Sequence, residues 1–365
     1  MNFKHVGTVT AIAVAATVLL SSCAANEAAP KSSGSAAPVS KLSGILNGIG
    51  SSAQANAETA WIAGFQTANP KVTVNYDSQG SGAGRTAFLA GSADFAGSDA
   101  ALKDAELATA SPTCATGTKP IDLPVYISPI GVVYNVDGVK DLKLDAATMA
   151  GIFKGTIKTW DDAAIKSLNS GAKLPSAAIT VVRRSDDSGT TQNFTDYLAT
   201  AAKDAWGAPA GQTFPFQIGD AAKGNEGVVA AVKGATNAVG YADESAAGGL
   251  DIAQLKVGTS FEKITASGAA AVVAASPVAT GRAANDLAIT INRLDVSKGA
   301  WPMALVSYLI VCQKYADPAK AELVKAYASY VASADGQKAA AAQAKSAPIA
   351  ADLATKVSAA IATIK

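Results

Sequence analysis

The run from Arg183 to Thr191 combines arginines, aspartates, a glycine and hydroxyl side chains. It follows the β-rich residues 179–182 and precedes the helix-forming residues 192–202, which predicts a strand, a polar turn and the first turn of a helix. Unpaired N–H groups and the dipole at a helix start attract anions, and an arginine can hold an anion through two parallel hydrogen bonds. The run therefore predicts a socket for a tetrahedral oxyanion.

Further glycine turns upstream carry hydroxyl groups of the same kind. Residues 48–52 end a predicted strand at 42–49, and residues 80–84 follow a predicted strand at 72–76. A single glycine turn is more often only a tight connection, but several hydroxyl-bearing turns together favour a binding site. Glycine lets consecutive backbone N–H groups approach an anion. The candidate hydroxyl donors are Ser52, Ser81, Ser188 and Thr190.

The elements that must position these turns repeat in the order strand, glycine turn, helix. This order predicts an α/β sheet with parallel strands and with its turns at the carboxyl ends of the strands. The long apolar segment 123–136 is strand-like and is a candidate for the crossing between two lobes. Other predicted strands lie at 94–96, 238–242 and 303–312, and predicted helices at 53–67, 85–90, 147–153, 161–168, 191–202, 228–232, 318–332, 337–344 and 352–364.

Length and charge limit the choice of function. The chain has 365 residues, enough for two hydrophobic cores, so two lobes are expected. The net charge is +1, and no basic run is interleaved with aromatic residues, so no nucleic-acid partner is expected. Trp160 and Trp301 are expected in the core or at a lobe junction, and Asp161 and Asp162 fit helix capping better than catalysis.

The N-terminal residues have the pattern of an export signal. Residues 1–22 contain a lysine, an apolar run and small residues before Cys23, and residues 20–23 resemble the bacterial lipobox. We expect cleavage before Cys23 and a lipid on that cysteine, followed by a flexible tether to residue 41. The alternative is an ordinary signal peptide in which the cysteine is incidental.

Cysteine and histidine usage is informative once the signal is removed. Cys114 and Cys312 then form an even pair in an oxidising compartment, which favours a disulfide, with two buried free thiols as the alternative. The single histidine, His5, lies in the signal. The mature chain would therefore have no imidazole for a catalytic triad or a metal site, and we expect neither a metal nor a cofactor.

An enzymatic interpretation stays open. Residues 186–190 resemble the aspartyl-phosphate motif of haloacid dehalogenase-like phosphatases, in which an aspartate nucleophile opens the turn. Those enzymes place the aspartate directly after the strand, whereas residues 183–185 intervene here. A surface phosphatase that uses Asp186 or Asp187 is therefore the alternative from another class.

The motifs together resemble one family over essentially everything from Leu42 onward. This is the family of phosphate-binding lipoproteins of the bacterial high-affinity phosphate ABC transporter, also called the PstS family. The segments that carry the resemblance are residues 48–52, 80–82, 94–99, 152–155, 158–162, 181–190, 223–227, 240–241 and 301–302.

The resemblance implies a type II periplasmic-binding-protein fold, in which two α/β lobes are joined by a hinge of two crossings and the ligand lies in the cleft. Lobe I would comprise residues 42–126 and 303–365, and lobe II residues 127–302. The resemblance also implies a non-enzymatic protein on the outer face of the cell membrane, held by its lipid. Its partners would be inorganic phosphate and the ABC permease with its ATPase.

By the same resemblance, a defined set of residues would contact phosphate. Arg184 would be the charged clamp, and Asp186 would orient it. Ser52 and Ala53 stand where many relatives have Thr and Phe, and Asp187 stands where Gly is common. The serine keeps the hydroxyl, and Ala53 would act through its backbone N–H. The full implied set is Ser52, Ala53, Ser81, Asp99, Arg184, Ser188, Gly189 and Thr190.

Asp99 would decide which oxyanion binds. A carboxylate repels an anion unless that anion brings a proton that the carboxylate can accept. Phosphate carries such a proton near neutral pH, and sulfate does not. Asp99 is therefore expected to act as a filter against sulfate, and it also argues against molybdate. Another oxyanion, such as a phosphonate, remains the alternative among binding proteins.

Overall fold

This computed structural model describes residues 40–365. Strands and helices alternate along much of this part of the chain. The predicted signal peptide, Cys23 and most of the tether lie outside the described residues. The twelve strands of the described part are β1 Gly44–Gly50, β2 Val72–Asp77, β3 Phe95–Ser98, β4 Pro120–Asn135, β5 Lys143–Leu144, β6 Thr180–Arg184, β7 Asp220–Ala222, β8 Ala238–Asp243, β9 Asp251–Ile252, β10 Gln254–Val257, β11 Ser260–Glu262 and β12 Ala304–Cys312.

Helices follow most of these strands, as the repeated pattern predicts. Within residues 40–365 they are α1 Ala55–Ala68, α2 Ser81–Leu89, α3 Asp104–Leu107, α4 Ala146–Lys154, α5 Ala163–Leu168, α6 Gly189–Ala201, α7 Lys203–Trp206, α8 Gly224–Gly234, α9 Ala266–Ala274, α10 Pro318–Ala332, α11 Ala334–Ala344 and α12 Ala351–Ala362. A 3₁₀ turn, Glu244–Ala246, follows β8.

Strand β4 runs through both halves of the main sheet, which has the order β2-β1-β3-β12-β4-β8-β6-β7 with β9 also on β4. Residues 120–129 of β4 pair with β12, and residues 130–135 pair with β8. We call the part with β1, β2, β3 and β12 lobe I, and the part with β6, β7 and β8 lobe II. The predicted crossing at 123–136 is therefore present, and the predicted α/β two-lobe class is confirmed.

The sheet is mixed, whereas the sequence pattern predicts parallel strands. Strand β1 is parallel to β2 and β3, and β6 is parallel to β7 and β8. Strand β12, however, is antiparallel to both β3 and β4, and β4 is antiparallel to β8. The repeated strand-turn-helix unit fixes direction only within each lobe, whereas β4 runs through both lobes and β12 lies between β3 and the lobe I half of β4.

Two helices begin earlier than their apolar pattern predicts. Helix α2 starts at Ser81, not at residue 85, and α8 starts at Gly224, not at residue 228. Glycine has a low helix propensity, so the pattern places these first turns outside the helix. A Cβ on Gly82 would lie 2.5 Å from Cβ of Asp187, which shows that the α2 backbone approaches the opposite lobe too closely for a side chain.

Side chains near the lobe junction are buried as expected. Trp160 and Trp301 are inaccessible to solvent, and the indole N–H of Trp301 donates to the carbonyl of Ile130, where β4 changes partner. Asp162 caps α5 by accepting the N–H of Ala164 at 2.8 Å. These three residues are therefore structural, as predicted.

The detailed lobe boundaries stay a prediction. One part of the range assigned to lobe II lies against the lobe I portion of β4, since the N–H of Leu287 donates to the carbonyl of Asp122 at 2.9 Å. Arg282 also pairs with the buried carboxylates of Asp122 and Asp286. Burial raises the pKa of Asp122 to about 8, and the Asp286 charge adds to this. The segment before β12 is therefore tied to lobe I.

Cys114 and Cys312 are joined by a disulfide, with their Cα atoms 5.3 Å apart. The bond links the segment before β4 to the last residue of β12, and 198 residues separate the two cysteines in sequence. It closes a loop that contains all of lobe II, so it restricts the unfolded chain strongly.

Replacing both cysteines, Cys114→Ser with Cys312→Ser, is expected to lower the free energy of unfolding by about 2 to 5 kcal/mol, because the unfolded chain regains the entropy of the large loop. Chemical denaturation of the variant and of the reduced wild type measures this. The reduced wild type should match the variant. An unchanged unfolding free energy in both would contradict a stabilising disulfide.

Candidate anion-binding site

The polar turns predicted from the sequence meet where the two lobes face each other. The ends of β1 and β3 and the start of α2 belong to lobe I, and the starts of α6 and α8 belong to lobe II. The N–H of Gly82 donates to the carbonyl of Asp187 across the interface at 3.0 Å. A Cβ on Gly189 would lie 2.6 Å from Cβ of Asp99, so only glycine allows this approach. The lobes therefore close tightly around the turns.

Arg184 supplies a buried positive charge at this point. It ends β6, its exposed fraction is 2%, and its Nε donates to Asp186 Oδ1 at 2.8 Å while Nη2 donates to Oδ2. The buried Nη1 has no hydrogen-bond partner among residues 40–365. A buried guanidinium nitrogen without an acceptor is costly, so this arm is suited to an acceptor that the protein itself does not provide.

Asp186 is held in turn by lobe II. Its Oδ1 also accepts the N–H of Gly224, at the start of α8, at 3.1 Å. Burial opposes its ionisation, but the hydrogen bond and the charge of Arg184 outweigh burial, so the pKa of Asp186 lies below its ordinary value of 3.8. The carboxylate is thus charged at neutral pH and fixes the plane of the guanidinium.

Arg183, the neighbour in sequence, points elsewhere. Its Nε donates to the carbonyl of Ile218 at 3.0 Å, and its Nη2 reaches Gln217. Successive side chains of a strand face opposite sides of a sheet, so only one of the two arginines can reach the interface.

Helix starts add donors from both lobes. Ser188 caps α6 by accepting the N–H of Thr191 at 3.0 Å, and Ser81 is the first residue of α2 and accepts the N–H of Asp99 at 3.1 Å. Because these hydroxyl oxygens already accept, each hydroxyl proton can be donated to a guest. The first N–H groups of α2, α6 and α8 and their dipoles make the same region favourable for negative charge.

Asp99 is a carboxylate of lobe I that lies in this donor-rich region. Its exposed fraction is 4%, its Oδ1 accepts from Ser307 Oγ at 2.8 Å, and its Oδ2 lies 3.4 Å from Thr190 Oγ1 of lobe II. Burial raises the pKa of Asp99, although the hydrogen bond from Ser307 and the charge of Arg184 act in the opposite direction. Asp99 is therefore a buried acceptor whose second oxygen lies at the lobe interface.

The structure brings the implied ligand set together in this region, and all of its members are buried: Ser52, Ala53, Ser81, Asp99, Arg184, Ser188, Gly189 and Thr190. Ser52 Oγ accepts from the backbone and side-chain N–H groups of Asn225 at 3.1 and 3.0 Å. The N–H of Ala53 donates to Ser51 Oγ at 3.0 Å within its own turn. The individual contacts to phosphate stay predictions.

Sequence reasoning missed several polar residues of the site. Asn225 bridges Ser52 and Thr190, and Ser307 holds Asp99. Asn225 lies in the glycine turn at 224–227, which was a usable signal. Ser307 lies in an apolar strand, at the shift in register between β12 and β4, and its sequence gives no such signal.

Known proteins are similar to this chain in sequence and in fold. The PBP superfamily domain matches residues 31–335. The chain is 40% identical over 286 residues to phosphate-binding protein PstS 3 of Mycobacterium leprae, with 77% of each chain covered. It is 36% identical over 341 residues to phosphate-binding protein PstS2 of Mycobacterium bovis, with 90% of each chain covered.

The chain belongs to the PBP superfamily and to its phosphate-binding PstS family. A solved structure of a high-affinity periplasmic phosphate-binding protein (PfluDING), bound with phosphate at pH 8.5, is similar with a TM-score of 0.72 and 25% identity. The similarity covers 87% of this chain and 93% of that chain. The family expected from the sequence motifs is thus confirmed, and with it the two-lobe fold of the PBP superfamily.

The Arg184–Asp186 pair should contribute to folding stability. Asp186→Asn leaves the buried guanidinium without a charged acceptor and is expected to cost about 1 to 3 kcal/mol of unfolding free energy at pH 7. The pKa of Asp186 is lowered in the folded state, so this contribution is present above pH 3.8 and is lost as the pH falls through the folded pKa. Chemical denaturation of both proteins over this pH range measures the difference.

Asp187→Asn is the matched control. Asp187 Oδ1 accepts from Thr213 Oγ1 at 2.7 Å near the surface, so the control should change the unfolding free energy by less than about 0.5 kcal/mol. Equal effects of the two substitutions, or a wild-type advantage over Asp186→Asn that grows below pH 3.8, would contradict this assignment.

Proposed function

We propose that the protein captures inorganic phosphate between its two lobes and delivers it to an ABC permease, whose ATPase drives import. The observation that carries the proposal is the pairing of a buried guanidinium arm that lacks a partner among residues 40–365 with a buried carboxylate of the other lobe. A guest that is both an anion and a proton donor satisfies both groups at once. The names of the PstS relatives and their shared family support phosphate as that guest.

Phosphate meets this requirement because it keeps a proton at neutral pH. One of its oxygens can accept from Arg184 Nη1, and its hydroxyl can donate to Asp99 Oδ2. Sulfate has no proton to offer Asp99 Oδ2, which then has only the 3.4 Å contact from Thr190 Oγ1, and sulfate would add repulsion between like charges. Sites built around one such hydrogen bond can discriminate by about 10⁴ to 10⁵. Asp99 is therefore the proposed filter against sulfate.

The other ligands proposed for phosphate come from both lobes. Lobe I supplies the hydroxyls of Ser52 and Ser81 and the backbone at Ala53, and lobe II supplies the first turn of α6, residues 188–190. No single lobe surrounds a tetrahedral guest, so binding favours the closed state over an open one. Closure would give the phosphate-loaded protein a different shape from the empty protein, and the permease could recognise that shape.

The function is proposed to be non-enzymatic. A phosphatase that uses Asp186 as nucleophile has little support from the geometry, because both carboxylate oxygens of Asp186 accept from Arg184 and one also accepts from Gly224. Asp187 Oδ1 accepts from Thr213. Asp186, the residue that the motif would make the nucleophile, therefore presents no carboxylate oxygen that is kept free for attack. The relatives named above are called binding proteins, which agrees with this view.

The proposed location is the outer face of the cell membrane, with a lipid on Cys23 as the anchor. The lipobox-like residues 20–23 support the anchor, and the disulfide supports an oxidising compartment. Among residues 40–365, no helix is long and apolar enough to cross a membrane.

Calorimetric titration of the purified wild type with phosphate and with sulfate tests the proposal. The wild type should bind phosphate and strongly prefer it. Asp99→Asn should narrow the preference for phosphate over sulfate by about tenfold or more, because the amide can donate to sulfate and carries no charge. A wild type that binds neither anion would refute the function, and an unchanged preference in the variant would remove the role of Asp99.

Arg184→Lys should weaken phosphate binding about 10- to 100-fold, since a lysine cannot pair with Asp186 in a fork and also reach the guest. Arg183→Lys is a control with the same chemistry on the neighbouring residue, and it should change the affinity by less than about threefold. Calorimetry measures affinity, and circular dichroism checks the fold of both variants. Equal losses in the two variants would contradict the assignment of Arg184 as the clamp.

A further inference from the structure

Asn193 joins the lobes at a point beside the anion site. It lies in the second turn of α6, its exposed fraction is 5%, and its Nδ2 donates both to the carbonyl of Asp99 at 2.7 Å and to the carbonyl of Gly189 at 3.0 Å. Gly189 belongs to the same helix, whereas Asp99 follows β3 in lobe I. The bond to Gly189 can persist when the lobes separate, but the bond to Asp99 needs them closed.

Arg293 fixes the orientation of this amide. Its Nη2 donates to Asn193 Oδ1 at 2.6 Å. A guanidinium can only donate and a backbone carbonyl can only accept, so the oxygen of the amide must face Arg293 and its nitrogen must face Asp99 and Gly189. The assignment of the amide follows from its partners, and both N–H groups and the oxygen are used.

The other arms of Arg293 hold the strand that returns to lobe I. Nη1 donates to the carbonyls of Pro302 and Ala304 at 3.1 and 2.7 Å, at the beginning of β12, and Nε donates to Asp196 Oδ2 at 2.7 Å. The exposed fraction of Arg293 is 5%. A single buried side chain thus connects the start of β12 to two positions on α6, the helix whose first turn is proposed to hold phosphate.

The contact from Asn193 does not involve the side-chain atoms of Asp99 that are proposed to bind phosphate. It uses the backbone carbonyl of Asp99, while the carboxylate of Asp99 faces Ser307 and Thr190. A cavity of about 560 Å³, lined by Asp99, Asn193 and Arg293 among others, lies next to the contact. Water can therefore replace the interlobe hydrogen bond when the lobes open.

We propose that Asn193, oriented by Arg293, is a latch that stabilises the closed state and so slows the release of phosphate. This inference rests on the proposed function. Asn193 is a positioning residue, because it acts through Asp99 and the first turn of α6 without touching the guest. It sets affinity through the dissociation rate and leaves the choice of anion to Asp99 and Arg184.

Asn193→Asp tests the latch directly. The variant keeps an oxygen for Arg293 but cannot donate to the Asp99 carbonyl, and Asn193→Ala, which adds no charge beside the anion site, separates loss of the latch from repulsion of phosphate. Stopped-flow measurement should show phosphate released about 3- to 10-fold faster, and Asn193→Ala should show a similar increase. Gln192→Ala is the control, because the Gln192 side chain makes no hydrogen bond to another residue within residues 40–365, and it should release phosphate at the wild-type rate.

Two further readouts separate a latch from a merely structural role. The ratio of phosphate affinity to arsenate affinity should stay at the wild-type value, and small-angle scattering should show a less compact average for Asn193→Asp at phosphate concentrations that close the wild type. If the wild type binds phosphate and both Asn193 variants release it within about twofold of the wild-type rate, the latch is refuted. A changed ratio would also refute it, whereas a wild type that binds no phosphate would refute the proposed function instead.

Discussion

The structure depends on two buried, opposite charges that come from different lobes and do not neutralise each other directly. Arg184 is paired with Asp186 on one side and has an arm without a partner among residues 40–365 on the other, while Asp99 has one oxygen held by Ser307 and the other at the interface. Burying charged groups costs free energy unless hydrogen bonds replace water. Under the proposed function, a guest that supplies an acceptor for Arg184 Nη1 and a proton for Asp99 Oδ2 favours closure of the lobes, so capture and closure would be one event.

The arrangement of the strands brings the groups that would bind an anion to one place. Strands β1, β3 and β6 end at the same interface, so the glycine turns that follow them deliver N–H and hydroxyl groups to one point. Strand β4 passes from lobe to lobe, and its change of partner between Pro129 and Ile130 lets the lobes share one sheet while they face each other. Arg293 holds the start of β12 in lobe I against α6 of lobe II, so the lobes are also connected beside the candidate site.

Local residue types were sufficient to predict the polar turns. They were much less sufficient to predict where the helices begin and in which direction the strands pair. The run 183–191 predicted a strand, a turn and a helix start, and the structure has β6 and α6 there. The glycine-rich starts of α2 and α8 were predicted as loops, because tertiary contacts hold glycines in a helix where propensity does not favour them. The sheet direction was wrong for β12, since antiparallel pairing there depends on which lobe each strand enters.

The sequence by itself determined the family, the two-lobe α/β class and the convergence of hydroxyl and guanidinium donors, because these follow from short motifs; it favoured a disulfide between the two cysteines, and the structure decided that they are bonded. Only the tertiary structure decided that Arg184 and not Arg183 faces the interface, that Ser307 holds Asp99, and that Asn193 and Arg293 connect the lobes. Ser307 is separated from Asp99 by 208 residues of chain. Contacts at such a distance depend on how the lobes pack, and no local pattern of residue types encodes that packing.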